Sequence, residues 1–198
     1  ALAALDEVRA MPRMGHVGVL LTRAEEIGFV GAIAAAKGRT IPRGTRLLCL
    51  ETSRSYVESP IGAGPILRVG DKASVFGPTL TNAIARIMDA HAAKESFHWQ
   101  RKLMPGGTCE ATAFSEYGYQ STCLCLPLGN YHNQGDIDGV VAGKRPARVA
   151  CEVISVSDFH GLVEMLIVTC RDLDSPQAQG ALRKRLDGLL QRHRNILT

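Results

Sequence analysis

Short apolar segments alternate along the chain with segments whose apolar residues recur at helical spacing. The pattern predicts strands at residues 16–22, 46–50, 97–103 and 122–126, most of them continuous apolar runs typical of burial on both faces. It predicts helices at residues 1–11, 25–36, 80–93, 108–117, 157–172 and about 177–196. Residues 51–70 and 129–146 are predicted loops, and 67–69 and 74–76 are candidates for a hairpin or edge strands. This alternation predicts an α/β fold, a three-layer α/β/α sandwich around a mixed, largely parallel sheet.

The composition is that of a globular protein. The chain has 198 residues, of which 45% are hydrophobic and 21% charged, so it has enough apolar material for a substantial core. No apolar run reaches the roughly 18 residues that a bilayer-spanning helix needs. We therefore expect no membrane partner.

The net charge of +4 comes almost entirely from the C-terminal segment. Residues 180–198 contain five basic residues against one acid, Asp187. Because the rest of the chain is close to neutral, the sequence argues against a nucleic-acid partner. We divide the chain into a body, residues 1–172, and a basic helical tail, residues 173–198. The tail is interpreted as a solvated helix face, with a docking surface as the alternative.

The six cysteines indicate a reducing compartment. No Cys-x-x-Cys pair is present, so the sequence does not support a zinc site made of cysteines. Cys123 and Cys125 lie two residues apart in a predicted strand and should face the same side of the sheet. We expect reduced, mostly buried thiols and a cytoplasmic protein.

Carboxylates follow two of the predicted strands. Glu25 and Glu26 come after the run 16–22, and Glu51 comes directly after 46–50. Sites in open α/β sheets gather at the carboxyl ends of strands. Adjacent side chains diverge, so one acid of the pair could bind a metal while the other acts as a general base. The structural alternatives are an acidic first helical turn and an ordinary loop acid.

Two further segments carry candidate chemistry. Gly106, Gly107 and Thr108 lead into a predicted helix, where free backbone N–H groups suit an anion or a developing oxyanion. His132 lies in the polar loop after the strand 122–126, and a neutral imidazole is a common metal ligand. A capped turn and a solvated histidine are the structural alternatives. The order and separation of the four segments are more specific than any one of them.

Taken in order, these segments resemble the second half of the catalytic domain of a two-metal zinc aminopeptidase, of the glutamyl and tetrahedral (endoglucanase-like) aminopeptidase family. That family has a Glu-Glu-Val-Gly-x-x-Gly-Ala pattern, and residues 25–32 here read Glu-Glu-Ile-Gly-Phe-Val-Gly-Ala. Its Gly-Gly-Thr-Asp-Ala turn is matched by Gly-Gly-Thr-Cys-Glu-Ala at residues 106–111. Its Arg-Tyr-Ile-His-Ser segment is matched, in shorter form, by Asn-Tyr-His-Asn at residues 130–133. The resemblance covers about residues 1–171.

The resemblance implies a zinc-exopeptidase-like fold and a role for each matching residue. Glu25 would be the general base, and Glu26, Glu51 and His132 would be metal ligands. The family usually has Asp at the position of Glu51. Two divalent metal ions are implied as cofactors, zinc in the first place with cobalt able to replace it. The implied activity is the removal of N-terminal residues from peptides by a metal-activated water.

The resemblance also implies substrate contacts, and here the sequence departs from the family pattern. Gly106, Gly107 and Thr108 match the substrate-binding turn, but its acid stands one residue later, at Glu110. This departure favours one alternative to a peptidase, a non-catalytic structural relative. A related two-metal amide hydrolase, such as a deacylase or carboxypeptidase, is the other alternative, since it would use the same ligands.

Two of the family's five metal ligands, a histidine and a bridging aspartate, have no counterpart in this sequence. Asp6 lies near the aspartate's place, but it falls within the predicted helix 1–11. We therefore expect residues 1–172 to be the C-terminal part of a catalytic domain and to be inactive alone. The expected partners are peptide substrates, the missing N-terminal half and further copies in a homo-oligomer.

Overall fold

Four strands form one mixed sheet in the computed structural model, which describes residues 1–176, 178–179 and 181–197. The strands are β1 Arg46–Arg54, β2 Ile66–Gly70, β3 Gln100–Leu103 and β4 Gln120–Leu128. Their order across the sheet is β1-β4-β2-β3. Strand β4 pairs in parallel with β1 and antiparallel with β2, and β2 pairs in parallel with β3. The predicted mixed sheet with mostly parallel pairing is confirmed.

Helices cover both faces of this sheet. The helix bounds are α1 Leu2–Val8, α2 Val30–Gly38, α3 Pro78–Ala92, α4 Glu110–Glu116, α5 Ile137–Val141, α6 Val156–Asp172 and α7 Ala181–His193. Leu67 and Leu124 point to a face packed by α1, α3 and α6, and Ile66, Cys123 and Cys125 point to the face packed by α2 and α4. Since side chains alternate along a strand, the two cores are separated by the sheet, and the three-layer sandwich is confirmed.

The strand predicted at 16–22 is wrong. None of these residues takes part in a strand or bridge among the described residues. Val19, Leu20 and Leu21 are partly or largely exposed, Leu21 at 75%. An apolar run indicates that a segment tends to be buried, but a strand also needs a neighbouring strand to hydrogen-bond with. No described segment supplies one here.

Two other predicted boundaries need correction. The helix predicted at 25–36 begins only at Val30, because Glu25–Phe29 form a tight turn. The segment 67–69, predicted as a hairpin or edge strand, lies in β2, which runs between β4 and β3 inside the sheet. Its companion 74–76 makes a single bridge, between Gly70 and Val75.

The predicted loop at 129–146 contains two short helical segments. A 3-10 turn spans Tyr131–Asn133, and α5 follows it. Strands β1 and β4 run further than predicted, so Glu51 lies inside β1 rather than after it. Strand β3 begins three residues later than the predicted 97–103.

The C-terminal helices agree with the pattern, with one change of cap. Helix α6 spans the predicted 157–172, but Ser155, not Ser157, accepts the N–H of Asp158 at its start. Helix α7 lies within the predicted 177–196 and continues into a 3-10 turn, Arg194–Ile196; Gln177 lies outside the described residues. In the described part of the chain no helix is both long and apolar enough to cross a membrane. All six cysteines are free thiols, four of them buried.

Candidate functional site

A cleft of about 480 Å³ opens at the edge of the sheet where the parallel strands β1 and β4 end. All seven residues singled out from the sequence line it, although they come from four separate segments. They are Glu25, Glu26, Glu51, Gly106, Gly107, Thr108 and His132. The structure therefore brings the predicted site residues together in one cavity.

Glu25 and Glu26 are presented by a turn that is fixed at both ends. The N–H groups of Gly28 and Phe29 donate to the Glu25 carbonyl at 3.0 and 2.9 Å. The N–H of Gly31 donates to the Arg23 carbonyl at 3.0 Å, and a Cβ on Gly31 would lie 2.4 Å from that oxygen. Only glycine fits this approach, so the second glycine of the motif has a structural reason.

The same turn is tied to the opposite wall of the cleft. The Thr22 hydroxyl donates a hydrogen bond to the carboxylate of Glu110, the first residue of α4. Glu110 is the acid that stands one residue away from the family position. It fastens the turn that carries Glu25, and it adds a negative charge near Glu25 and Glu51.

Glu51 lies in the most electrostatically unfavourable position of the cleft. Its pKa is raised to about 7, first by burial and then by the nearby Glu25 carboxylate, while Arg68 opposes the shift. The pKa of Glu25 is also raised, first by burial and then by the charges of Glu26 and Glu110. Carboxylates that repel one another in a partly buried site need a cation to remain ionised together.

Arg68 is the buried cation of this region. Its side chain is 5% exposed, and its Nη1 donates to Ser53 Oγ at 3.3 Å. Its Nη2 is 3.7 Å from an Asp71 carboxylate oxygen, and its Nε has no hydrogen-bond partner. Buried arginines normally have their N–H groups paired, so Arg68 is held by charge more than by hydrogen bonds.

His132 is presented by a loop with an unusual backbone. It has φ +55° and its ring stacks on Tyr131 with centroids 4.0 Å apart. Its N–H donates to Glu152 Oε1 at 2.8 Å. Non-glycine residues in the left-handed region cluster at functional sites, where surrounding contacts hold them. The loop has four such residues, Asn130, His132, Asn133 and Asp136.

The donor types in the cleft are suited to a divalent metal. Carboxylate oxygens and imidazole nitrogens are ligands that zinc takes in proteins, and the mutual repulsion at Glu51 favours a bound cation. However, among the described residues no three His, Cys, Asp or Glu side chains already stand in a metal-binding arrangement. The candidate ligands therefore fit in kind and share one cleft, but they do not form a preassembled site.

Sequence reasoning missed several residues of the cleft. Arg68 had a visible signal, because a charged residue inside the apolar run of β2 must be buried with it. Arg54 and Tyr56 also line the cleft, with the guanidinium 5.3 Å from the ring centroid, and Arg54 pairs with Asp138. Glu152 contacts His132 from 20 residues away. Nothing in the sequence marks that contact.

Several solved structures share this fold. One is a TET aminopeptidase from the marine sediment archaeon Thaumarchaeota archaeon SCGC AB-539-E09, with TM-score 0.59 and 20% identity, covering 80% of this chain and 41% of that one. Another is an aminopeptidase from the archaeon Desulfurococcus kamchatkensis, with TM-score 0.58 and 17% identity, covering 80% and 42%. A third, PhTET1-12s, has TM-score 0.51 and 19% identity, covering 75% and 39%, and is described as a dodecamer in its asymmetric unit.

The family follows from the sequence profile. The chain belongs to the M42 glutamyl aminopeptidase family, whose profile matches residues 1–140. This confirms the family inferred from the Glu-Glu and Gly-Gly-Thr motifs. The chain spans about two fifths of the length of the solved structures it resembles. No functionally curated protein matches it.

Gly31→Ala should loosen the turn that carries Glu25. A Cβ there would lie 2.4 Å from the Arg23 carbonyl oxygen, so the backbone must move. We expect the free energy of unfolding in urea to fall by roughly 1–3 kcal/mol, as for other overpacked positions. Gly18→Ala is the matched control, since nothing lies within 4 Å of its added Cβ. Equal stability of the two variants would contradict the close approach.

Glu51→Gln should change how stability depends on pH in the metal-free chain. The folded pKa of Glu51, about 7, is above its ordinary value of 4.5, so the folded state loses stability as pH rises through this window. The amide removes the charge, and we expect it to flatten this loss by on the order of 2–3 kcal/mol. Urea unfolding across the pH range measures it. Glu116→Gln, at an exposed position, should leave the profile unchanged, and a similar effect of both variants would refute the assignment.

Proposed function

We propose that this chain supplies catalytic residues to a metal-dependent aminopeptidase that removes N-terminal residues from peptides. The observation that carries the proposal is the single cleft lined by Glu25, Glu26, Glu51 and His132 in a chain of the M42 family. If these residues were scattered over the surface, the chain would resemble aminopeptidases in fold only.

Each of the four residues has a distinct role in this proposal. Glu26 and His132 would hold one metal and Glu51 the other. A pair of divalent ions, zinc or cobalt, would supply Lewis-acid activation of water when bound. Glu25 accepts the proton of the attacking water and gives it to the leaving amine. Its raised pKa supports this role, because a base works best when its pKa approaches the working pH.

The loop of Gly106, Gly107 and Thr108 lies on the other wall of the cleft and would hold the peptide. Gly107 has φ +68°, a conformation that favours glycine. Backbone N–H groups in such a turn can hydrogen-bond a substrate carbonyl without adding side-chain bulk. Glu110, directly behind this loop, keeps it in register with the turn of Glu25.

A working metal centre needs donors beyond the three found here. We infer that they come from polypeptide outside the described residues, as does the remainder of the fold found in the longer relatives. Assembly into a homo-oligomer is part of the same proposal, and the dodecamer described for PhTET1-12s supports it. The six free thiols support a reducing compartment such as the cytoplasm.

One observation favours a second candidate, a non-catalytic relative that serves as a structural subunit. Among the described residues, no trio of candidate ligands is arranged to hold a metal. A protein that had lost catalysis could keep the cleft and the fold without metal-binding geometry. Metal binding separates the two candidates before any activity is measured.

The chain alone should bind zinc weakly and show no aminopeptidase turnover. Three ligands divided between two metals leave each ion poorly held. Isothermal titration calorimetry with zinc would measure the binding, and hydrolysis of aminoacyl anilides would measure the turnover. His132→Ala should weaken zinc binding by roughly tenfold or more, whereas His160→Ala, at an exposed position on α6, should not. Equal binding by the two variants would favour the non-catalytic candidate, and robust turnover by the chain alone would show that its ligand set is complete.

In the assembled enzyme, Glu25→Gln should separate proton transfer from metal binding. The amide keeps the shape of the side chain but cannot accept a proton, so turnover should fall by about 10²–10⁴-fold. Metal content, measured by atomic emission, should remain near that of the unmodified enzyme. Glu26→Gln is the comparison and should lose metal. If Glu25→Gln loses the metal instead, the division of roles between these neighbours is reversed.

A further inference from the structure

Helix α7 carries an apolar stripe that no other part of the described chain covers. Leu182, Leu186, Leu189 and Leu190 are 54%, 55%, 39% and 56% exposed. The M42 profile ends at residue 140, so this helix lies outside the matched region. Neither the cleft nor the peptidase proposal gives these leucines a role. An exposed stripe of this kind on a folded protein marks an interaction surface.

The positions of charge around this stripe are regular. At about 100° per residue, the four leucines fall within an arc of about 100° on the helix. Arg183 lies on one border of the arc, with Asp187 about 40° beyond it, and Arg185 lies on the other border, with Arg192 about 20° beyond it. Lys184 lies on the polar side, and His193, at the end of the helix, falls within the arc. An arginine therefore stands on each border of the stripe, and the acid stands beside one of them.

We propose that α7 is an interfacial helix that binds anionic lipid surfaces with its leucine stripe facing the acyl chains. Arginines on both borders can extend their charged heads to lipid phosphates while their aliphatic stems lie along the leucines. A helix with leucines on one face and cationic residues around it is the type that lies in the plane of a membrane interface. Basic residues on such a helix are attracted by the negative surface of anionic lipids.

Two other occupants fit the helix less well. In a pair of identical α7 helices, Arg185 and Arg192 on one edge would face arginines of the other helix, and like charges across such a seam are destabilising. Protein interfaces are often anchored by Trp, Tyr and Arg together. The described helix, Ala181–His193, has arginines but no Phe, Tyr or Trp.

This helix would lie on a membrane and not cross it, in agreement with the absence of a spanning helix among the described residues. The proposal departs from the expectation of no membrane partner, which considered spanning segments only. The sequence pattern favours a solvated helix face for the tail, with a docking surface as the alternative. This proposal adopts the alternative.

The test is co-sedimentation of the complete chain with vesicles. We expect binding to vesicles of phosphatidylcholine mixed with phosphatidylglycerol, and little binding to phosphatidylcholine alone. The double variant Leu186→Ser/Leu190→Ser should lose most binding. Gln191→Ser, on the polar side of the same helix, is the matched control and should bind as the unmodified chain does. Arg185→Gln should weaken binding about fivefold, the effect of one basic charge near an anionic surface.

Each contrary result overturns the proposal in a recognisable way. If the chain does not bind anionic vesicles, a lipid surface is excluded as the partner of the stripe, and a groove on another protein is the partner instead. Binding that depends on Arg185 but not on the leucines shows simple charge adsorption. A dimer, seen by light scattering and lost in Leu186→Ser/Leu190→Ser, assigns the stripe to a second copy of the chain. Peptidase activity is not measured in any of these experiments, so they stand apart from the proposed catalytic function.

Discussion

The burial of strand β4 is the constraint on which the rest of the structure depends. Eight of its nine residues are buried, and its side chains alternate between the two cores of the sandwich. Leu124 and Leu126 point to the face of α3 and α6, while Cys123 and Cys125 point to the face of α2 and α4. Since β4 pairs with β1 on one side and with β2 on the other, both neighbours take their register from it.

The cleft follows from this pairing. Strands β1 and β4 are parallel, so their carboxyl ends meet at one edge. The turn after β4 brings Tyr131 near Glu51 and His132 near Glu25. Strand β2 is antiparallel to β4, and Arg68 reaches from it across β4 to Ser53 on β1. The acids of the cleft thus lie above one buried cation. A carboxyl group whose pKa is about 7 destabilises the fold when it is ionised, and natural proteins tolerate such strain mainly where function requires it.

Sequence patterns predicted the fold where local and tertiary preferences agree. Helices α3 and α6 were predicted within two residues at each end, because their apolar stripes face a core along their whole length. The prediction of a strand at 16–22 was wrong because hydrogen-bonding partners cannot be read from a local run. The interior position of β2 was missed for the same reason. It is short, and its neighbours in the sheet are distant in sequence.

The motifs of the candidate site could be picked out from the sequence because they keep their order along the chain. All seven residues line one cleft, but their roles remain proposals. What the sequence could not show were contacts between distant residues, such as Thr22 with Glu110 or His132 with Glu152. Each of these contacts holds a turn that presents a motif residue, so the motif specifies the chemistry and its distant partners specify the geometry.

Two parts of the chain carry local charge of opposite sign, which the net charge does not show. The value of +4 is the sum of a body that is close to neutral, although its cleft is acidic, and a C-terminal segment, residues 180–198, in which five basic residues stand against one acid. The acids of the cleft repel one another around Glu51 and attract cations. The arginines of α7 border leucines and attract anions. The net charge alone does not show this difference, because it adds the two groups of charges together. In the structure they lie apart: the acids line a partly buried site suited to metal ions, and the arginines lie on an exposed helix suited to a negatively charged surface.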